Sequence, residues 1–501
     1  MQALQALEIG LLFLTFIGMT LLMFYRLLPA LLALPLLAVL IALIGGLNPD
    51  DKFSSLDLIT QVLGKGPLKL SGAYVVAMFG GMLSLILQKT GVAESFIKKG
   101  AELAGDKPWT ISVVMLLLIA LLFTTIGGLG AIIMVATIVL PVLAAVGVGP
   151  MTSVGIFLFG ISIGGTLNVG NWALYREVLN LKAEQIQPFA LLIFALLFAF
   201  ALVYITLQLY FDGHELDIAT LVRNGVLALL LIGGGTAGWM LAVPVETKAG
   251  LTQLWGPVWT GLQWGIGLGL GLLGLLVLTR AWRHREAEQH AVHWSAYFAP
   301  ILPLILILVY GADFIGAFVA GLLYAFAATY RRGRLNTLIQ SSIEGAAVVM
   351  PAVLLMFGIG MILIAIMGPG GDIKPEDWPV LQLIQPVTAK VVPTSTLGYI
   401  LLFSLAAPLA LYRGPLNLWG MGFGLAPVFL AAGLPAGAVM GLLMSVGQIQ
   451  GISDPTNTQN VWLASEMRVD VQKVMWNTLP YAWGTAVLGL CASAIFFMGG
   501  R

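Results

Sequence analysis

Charge is the scarcest property of this sequence. Only 9% of its 501 residues are Asp, Glu, Lys or Arg, and their charges nearly cancel to a formal net charge of +1. A soluble globular protein carries about 25% charged residues, so this chain cannot present an ordinary aqueous surface. It also has no basic tail, and we expect no nucleic-acid partner.

Reactive and metal-binding side chains are scarce as well. The single cysteine, Cys491, excludes an intrachain disulfide and a CxxC metal or redox site. The four histidines, at positions 214, 284, 290 and 293, fall in loops between apolar segments, and no nucleotide-binding loop of the form GxxxxGKS/T occurs. We therefore expect neither an enzyme nor a nucleotide-driven pump, and no cofactor beyond Na⁺ as a coupling ion.

Apolar runs, in contrast, fill the chain. Hydrophobic residues make up 59% of it, and the runs that start at Ile9, Leu27 and Phe189 are each about long enough to cross a hydrocarbon core of roughly 30 Å as a helix. The first run has no basic region before it and no small-residue cleavage site, which indicates a retained helix and not a signal peptide. The sequence predicts an all-α polytopic membrane protein in a lipid bilayer.

The charged loops divide these runs into predicted crossings. The crossings lie near residues 7–24, 27–46, 68–88, 107–126, 151–170, 187–210, 224–243, 256–279, 295–311, 313–330, 341–367, 395–412, 436–453 and 476–499. Two further stretches, 127–147 and 413–433, are apolar but rich in Gly, and we expect them to form re-entrant hairpins.

Loop charge predicts the orientation of the chain, since cytoplasmic loops carry the excess of Lys and Arg. We place the basic loops 98–107, 280–293 and 331–334 in the cytoplasm and the acidic loops 211–217 and 371–377 outside. These loop charges put the N-terminus outside. The number of predicted crossings between the loops does not agree with the sides that the charges assign to them, so at least one segment must be interfacial or re-entrant. The lack of a sizeable ectodomain and the low cysteine content favour a bacterial inner membrane.

An internal repeat relates two parts of the chain. Residues 140–174 resemble residues 426–460 at an offset of 286, because Pro141 falls on Pro427, and each copy breaks into polar residues after the same apolar run. At this offset Val142, Ala145, Gly147, Gly155, Ile163 and Gly165 meet Val428, Ala431, Gly433, Gly441, Ile449 and Gly451. Secondary transporters often contain two halves of inverted topology with the binding site where they meet.

The polar breaks themselves align in two ways. The first reads NVGNWAL and the second NTQNVWLA. A three-residue gap, the length of the extra Ser-Asp-Pro at 453–455, pairs Asn168 with Asn457 and Asn171 with Asn460. Without the gap, Asn168 faces Asp454 and Asn171 faces Asn457.

This repeat divides the chain into three parts. Residues 1–210 form the first repeat, with its hairpin and polar break at 124–171. Residues 211–294 supply linking helices and the basic loop. Residues 295–501 form the second repeat, with its hairpin and polar break at 411–460.

A break in a membrane helix is chemically useful. It is tolerated only inside protein or beside a water-filled cavity, where freed carbonyls coordinate cations and half-helix N-termini attract anions. Asn, Thr and Asp side chains add oxygen ligands suited to Na⁺. The alternative interpretation is structural, since single Asn residues bond between helices, small residues pack helices closely, and Asp454 could cap a helix.

Arg413 is the strongest single candidate. A lone Arg between apolar segments is costly unless it is paired or functional, and a guanidinium binds a carboxylate through two hydrogen bonds. An ordinary interfacial Arg whose head reaches water is the competing interpretation. Asn417 lies four residues further on and would share its helical face.

With these residues, the layout resembles the ion transporter superfamily of citrate, dicarboxylate, gluconate and arsenite carriers. The likeness rests on two halves, a Gly-rich hairpin and a polar break in each, and a Ser/Thr-Asn-Thr triplet that reads here as Thr456-Asn457-Thr458. The first-half counterpart, LNVGN, lacks the triplet. The resemblance implies an elevator-type carrier with a scaffold domain that forms a homodimer, and a moving domain that holds a carboxylate and its coupling ion.

We therefore predict a secondary active transporter for a small organic anion, coupled to Na⁺ or H⁺. The predicted substrate-binding residues are Thr125, Gly127, Gly128, Asn168, Asn171, Arg413, Gly414, Asn417, Thr456 and Asn457. The predicted coupling-ion residues are Asn168, Asp454, Asn457 and Thr458. Two alternatives stay open, a cation/proton antiporter that uses Asp454 and an intramembrane lipid-modifying enzyme, although no catalytic cluster for the latter occurs in the sequence.

Overall fold

A computed structural model describes residues 2–25, 27–49, 51–215, 245–283, 292–331, 335–374 and 377–499, with six isolated positions between 216 and 244. Most of the predicted crossing at 224–243 lies outside the described residues, as do 284–291 of one basic loop and 332–334 of another. The same holds for 216–217 and 375–376 of the two acidic loops.

The described residues fold into helices joined by turns. In chain order the α-helices are α1 (Gln2–Phe24), α2 (Ala30–Gly45), α3 (Ser55–Lys65), α4 (Ser71–Lys89), α5 (Val92–Ala104), α6 (Pro108–Phe123), α7 (Leu129–Ala145), α8 (Pro150–Thr166), α9 (Val169–Leu179), α10 (Ala183–Phe211), α11 (Val245–Arg283), α12 (Leu302–Tyr310), α13 (Phe314–Ala328), α14 (Leu335–Met367), α15 (Pro379–Val391), α16 (Thr396–Ala406), α17 (Phe423–Ala431), α18 (Ala436–Ser453), α19 (Thr458–Glu466) and α20 (Val471–Met498). Short 3₁₀ helices span Trp294–Phe298 and Ala407–Arg413, and a π-helix spans Leu418–Gly422.

Eight helical segments among the described residues are long and apolar enough to cross a membrane. They are α1, α4, α10, α20, most of α11, α14, α16 with the 3₁₀ turn after it, and α18 with α19. In addition, α8 and α9 form a pair bent by 50° at its break. The prediction of an all-helical, multi-pass membrane protein is confirmed for this part of the chain.

Two predicted segments differ from the structure. The crossing at 295–311 is instead a 3₁₀ turn followed by the nine-residue α12, which at about 1.5 Å per residue is too short to cross. The loop at 98–107 is mostly helix α5, because Glu94 and Lys98 pair one turn apart at 2.7 Å on its exposed face and such pairs stabilise helices.

Contacts divide the chain into two units, and each unit draws on both predicted repeats. The first unit contains residues 1–75, 171–193 and 350–501, and the second contains residues 76–170 and 194–349. In the first unit α18 packs along α20, and in the second α6 packs along α8.

The order of elements recurs along the chain. The series α4 to α10 is matched by the series α14 to α20, including a polar break before a short helix in each. The offsets between equivalent starts are 286 for Pro150 and Ala436, 289 for Val169 and Thr458, and 288 for Ala183 and Val471. This recurrence supports the internal repeat; the inverted topology of the two copies stays a prediction.

Equivalent glycines allow equivalent close contacts in the two series. A Cβ atom on Gly155 of α8 would lie 2.5 Å from Cε1 of Tyr204 on α10, and one on Gly441 of α18 would lie 2.5 Å from Cβ of Ser493 on α20. Small residues let membrane helices approach this closely. These two glycines therefore fix the same helix pair in each copy.

Replacing Gly441 with Ala should destabilise the protein by about 1–3 kcal/mol, as overpacking does. Ser493 cannot move away freely, because its Oγ lies 3.0 Å from the buried Tyr399 hydroxyl. The measurement is thermal unfolding of the purified protein in detergent. Gly18→Ala on α1 is the control, since a Cβ there meets no atom within 4 Å and Ala favours helices. Equal melting temperatures for the two variants would contradict the packing argument.

Candidate functional site

A cavity of about 260 Å³ lies at the second polar break, within the first unit. Its lining includes both polar and apolar residues. The polar lining consists of Arg413, Asn417, Gln450, Asp454, Thr456, Asn457 and Thr458, and the remaining lining of Met23, Leu28, Pro29, Ala30 and Trp419. The structure thus brings together most of the residues that the sequence singled out in the second half.

The break itself is held by side-chain amides. Helix α18 ends at Ser453 and α19 begins at Thr458, so the last carbonyl groups of α18 have no intrahelical partner. Asn457 Nδ2 donates to the Gln450 carbonyl at 3.4 Å, Gln459 Nε2 to the Gly451 carbonyl at 3.1 Å, and Asn460 Nδ2 to the Ile452 carbonyl at 3.1 Å. The amide-rich composition therefore satisfies backbone groups that water would satisfy in a soluble protein.

The Asp454 carboxylate lies at the centre of the break and is only 1% exposed. Its Oδ1 accepts hydrogen bonds from the Tyr412 N–H at 3.0 Å, the Thr456 N–H at 2.9 Å and the Thr456 hydroxyl at 2.7 Å. Its Oδ2 accepts one from Asn417 Nδ2 at 3.2 Å. Since Oδ1 is saturated and Oδ2 accepts one bond, Oδ2 is the oxygen with capacity for a further ligand.

The segment that carries Arg413 has an unusual backbone. Tyr412 and Arg413 both adopt left-handed φ values, 53° and 56°, a conformation that costs about 1–2 kcal/mol per residue without glycine. Tyr412 is held there by its N–H bond to Asp454 and by its hydroxyl bond to Gln472 Oε1 at 2.8 Å. The next residue is Gly414, and a Cβ atom at this position would collide with the Leu409 carbonyl oxygen. This close approach explains why the position holds a glycine.

Arg413 is exposed at the edge of the cavity. It forms no ion pair with any of the residues that the structure describes. The N-terminus of α19 lies in the same cavity through Asn457 and Thr458, and no side chain caps it. A guanidinium and an uncapped helix N-terminus together favour a bound anion.

Two lining residues, Gln450 and Trp419, were not among the predicted site residues. Gln450 Oε1 accepts the Leu418 N–H at 2.7 Å and the Trp419 N–H at 3.4 Å, which caps the π-helix. Gln450 belongs to the polar stretch before the break, so the sequence did carry a signal for it. The apolar lining residues at the end of α1 and the start of α2, Met23 and Leu28 to Ala30, carried no such signal in the sequence. Their composition is that of any other membrane segment.

The first-half candidates do not line this cavity. Thr125, Gly127, Gly128 and Asn168 belong to the second unit, whereas Asn171 belongs to the first. Thr125 Oγ1 donates to the Leu122 carbonyl at 3.3 Å and Asn168 Nδ2 to the Phe123 carbonyl at 3.0 Å. Both side chains therefore cap the end of α6, and a role in binding stays a prediction.

The helix boundaries favour one alignment of the two breaks. Asn168 directly precedes α9, and Asn457 directly precedes α19. The three-residue gap that pairs these two asparagines agrees with this placement, whereas the ungapped alignment pairs Asn168 with Asp454 at the opposite end of the longer break.

No protein-family model matches the sequence, and no curated protein matches it significantly. The fold is similar to that of the Alcanivorax borkumensis YdaH transporter, which has an unusual topology. That match has a TM-score of 0.53 and 16% identity, and it covers 94% of this chain and 98% of that one. A second solved structure, Neisseria gonorrhoeae MtrF from a class of antimetabolite efflux pumps, matches with a TM-score of 0.46 and 14% identity over 93% and 95% of the two chains. The part of the chain that the structure describes therefore has a helical membrane fold that is shared with the YdaH transporter.

Proposed function

We propose that this protein is a secondary active transporter that moves a small organic anion, a carboxylate, across the membrane. A gradient of Na⁺ or H⁺ would drive this transport. One observation carries the proposal: Arg413, the uncapped N-terminus of α19 and the buried Asp454 carboxylate line a single cavity. The fold shared with the YdaH transporter supports it.

The anion would bind on the side of Arg413 and α19. The guanidinium has no carboxylate partner among the described residues, and the first N–H groups of α19 point along the helix toward the break. A carboxylate satisfies both at once. The Trp419 side of the cavity would contact the apolar body of the substrate.

The coupling cation would bind on the side of Asp454. Asp454, Asn457 and Thr458 all line the cavity, and their carboxylate, amide and hydroxyl groups offer oxygen donors of the type that hard cations prefer. A cation there offsets the charge of the anion, so the two ligands would favour each other's binding. The proposal includes the elevator-type movement and the homodimer that the resemblance implies, and the bacterial inner membrane that the low cysteine content and the lack of a sizeable ectodomain favour.

Replacing Arg413 with Ala should weaken carboxylate binding by about 10- to 100-fold, since a hydrogen bond to a charged group contributes about 1.5–3 kcal/mol. The measurement is the rise in melting temperature of the purified protein with a panel of carboxylates, because a ligand of the folded state stabilises it by mass action. Arg468→Ala is a matched control: Arg468 is also left-handed and exposed, but it does not line the cavity. If the carboxylates raise the melting temperatures of the two variants equally, Arg413 does not bind the carboxylate.

Replacing Asn457 with Ala should abolish the Na⁺ dependence of the carboxylate shift. The control is Gln459→Ala, since Gln459 makes the same kind of amide bond to an α18 carbonyl without lining the cavity. Both variants lose a cap, but only Asn457→Ala loses a cation ligand. If pH or Na⁺ shifts the wild type and no carboxylate does, the cation/proton antiporter becomes the better function.

Replacing Asp454 with Asn should lower stability by about 1–3 kcal/mol with or without Na⁺, because one carboxylate oxygen becomes an N–H donor that faces other donors. Thermal unfolding at fixed pH measures this loss. Asp470→Asn is the control, since Asp470 caps α20 through one accepted N–H bond and Asn caps equally well. An unchanged melting temperature for Asp454→Asn would show that its hydrogen bonds do not hold the break together.

A further inference from the structure

Three arginines lie in the second unit, away from the cavity described above. Arg280 and Arg283 belong to the last turn of α11, and their spacing of three residues makes them neighbours on the helix surface. Arg331 follows the end of α13 by three residues. The apolar span of α11 runs from Gly256 to Arg283, so the first two arginines lie where the helix leaves the membrane.

Helix packing brings the ends of α11 and α13 to the same level. Gln263 Nε2 on α11 donates to the Val309 carbonyl at 2.7 Å, and the Tyr310 hydroxyl donates to the Gln263 carbonyl at 2.7 Å. Arg280 lies 17 residues beyond Gln263, about 25 Å along the helix at about 1.5 Å per residue. The 15 residues of α13 begin just after Tyr310, pack along α11 and cover about 21 Å at the same rise.

Both helices run in the same direction from this contact. Loop charge predicts that the basic loops after α11 and after α13 lie on the same side of the membrane, the cytoplasmic side. The charge of Arg331 also acts on Arg280, as expected when both helices end at one level. Since arginine does not deprotonate in proteins, the two guanidinium groups repel each other, and a bound anion would relieve this repulsion.

The described part of the chain supplies no acidic partner for these arginines. Its ion pairs are those of Lys52, Lys89, Lys98 and Lys99. Nη1 of Arg280 is buried without a hydrogen-bond partner, while the side chain as a whole is partly exposed. The negative end of the α11 dipole favours basic residues in the last turn, but it leaves this nitrogen without an acceptor.

The surroundings of the arginines are those of a membrane interface. Leu272, Leu275 and Leu278 of α11 are 59%, 60% and 61% exposed, as expected for a helix that faces acyl chains. Trp282 is 81% exposed and Tyr330 is 36% exposed, and such aromatic residues lie at the level of the lipid head groups. Basic groups between membrane helices on the cytoplasmic side bind anionic head groups.

We infer that Arg280, Arg283 and Arg331 bind the phosphate of an anionic phospholipid at the ends of α11 and α13. A guanidinium group forms paired hydrogen bonds with phosphate oxygens, and the acyl chains of the lipid lie along the exposed leucines of α11. The phosphate offsets the repulsion between the arginines and holds the two helix ends together. This site goes beyond the proposed transport and does not depend on which substrate the cavity binds.

Lipid binding to the purified full-length protein tests this inference. Native mass spectrometry in a neutral detergent counts bound palmitoyl-oleoyl phosphatidylglycerol, and phosphatidylcholine with the same acyl chains is the zwitterionic comparison. We expect one phosphatidylglycerol per chain to bind about tenfold or more tightly than phosphatidylcholine, because charged hydrogen bonds to the arginines favour the anionic lipid. Equal affinity for the two lipids would overturn the site.

Two variants on separate helices locate the binding. Arg280→Ala and Arg331→Ala should each weaken phosphatidylglycerol binding about fivefold or more, as the loss of one basic residue at a membrane surface does. Lys107→Ala is the matched control, since it removes one exposed positive charge on the same predicted side but outside the group. An equal loss of affinity in Lys107→Ala would reduce the effect to general surface charge, and displacement of the lipid by inorganic phosphate alone would show a site for free phosphate; either result would overturn the inference.

Discussion

The broken helix between α18 and α19 depends on one constraint, the need of every backbone carbonyl in a membrane to find a partner. Three consecutive carbonyls at the end of α18 receive side-chain amides from Asn457, Gln459 and Asn460. Without them the break would leave unsatisfied groups that cost several kcal/mol each in hydrocarbon. Because the break is satisfied internally, the space beside it stays open as a cavity instead of being filled by a continuing helix.

The same polar residues serve two purposes. Asp454 holds the backbone of Tyr412 and Thr456 through Oδ1 and is one of the residues that line the cavity. Asn457 caps α18 and lines the cavity as the residue before α19. These residues therefore have a structural role at the second break, and the proposed binding role would use the same side chains. At the first break, the contacts of Thr125 and Asn168 are of the capping kind.

Much of this arrangement is predictable from the sequence, and the reasons for the rest are physical. Apolar length predicts the long helices, because a span must match the thickness of the bilayer. The polar run at 447–460 predicts the break, since such residues are expensive in hydrocarbon. In contrast, α3 and α5 carry no apolar run, and their amphipathic faces depend on what they pack against. The wall from Met23 to Ala30 is likewise a product of folding, because it has no composition that distinguishes it from other membrane segments.

The strained pair at Tyr412 and Arg413 has a thermodynamic consequence. The N–H of Tyr412, the residue before Arg413, donates a hydrogen bond to the Asp454 carboxylate. The backbone at Arg413 is therefore connected to Asp454 through one peptide unit. If the proposed anion binds at Arg413 and the proposed cation at Asp454, linkage between them is reciprocal: the factor by which either ligand changes the affinity for the other is the same. The two left-handed residues thus connect the Arg413 part of the cavity lining to the Asp454 part through a single hydrogen-bonded peptide unit.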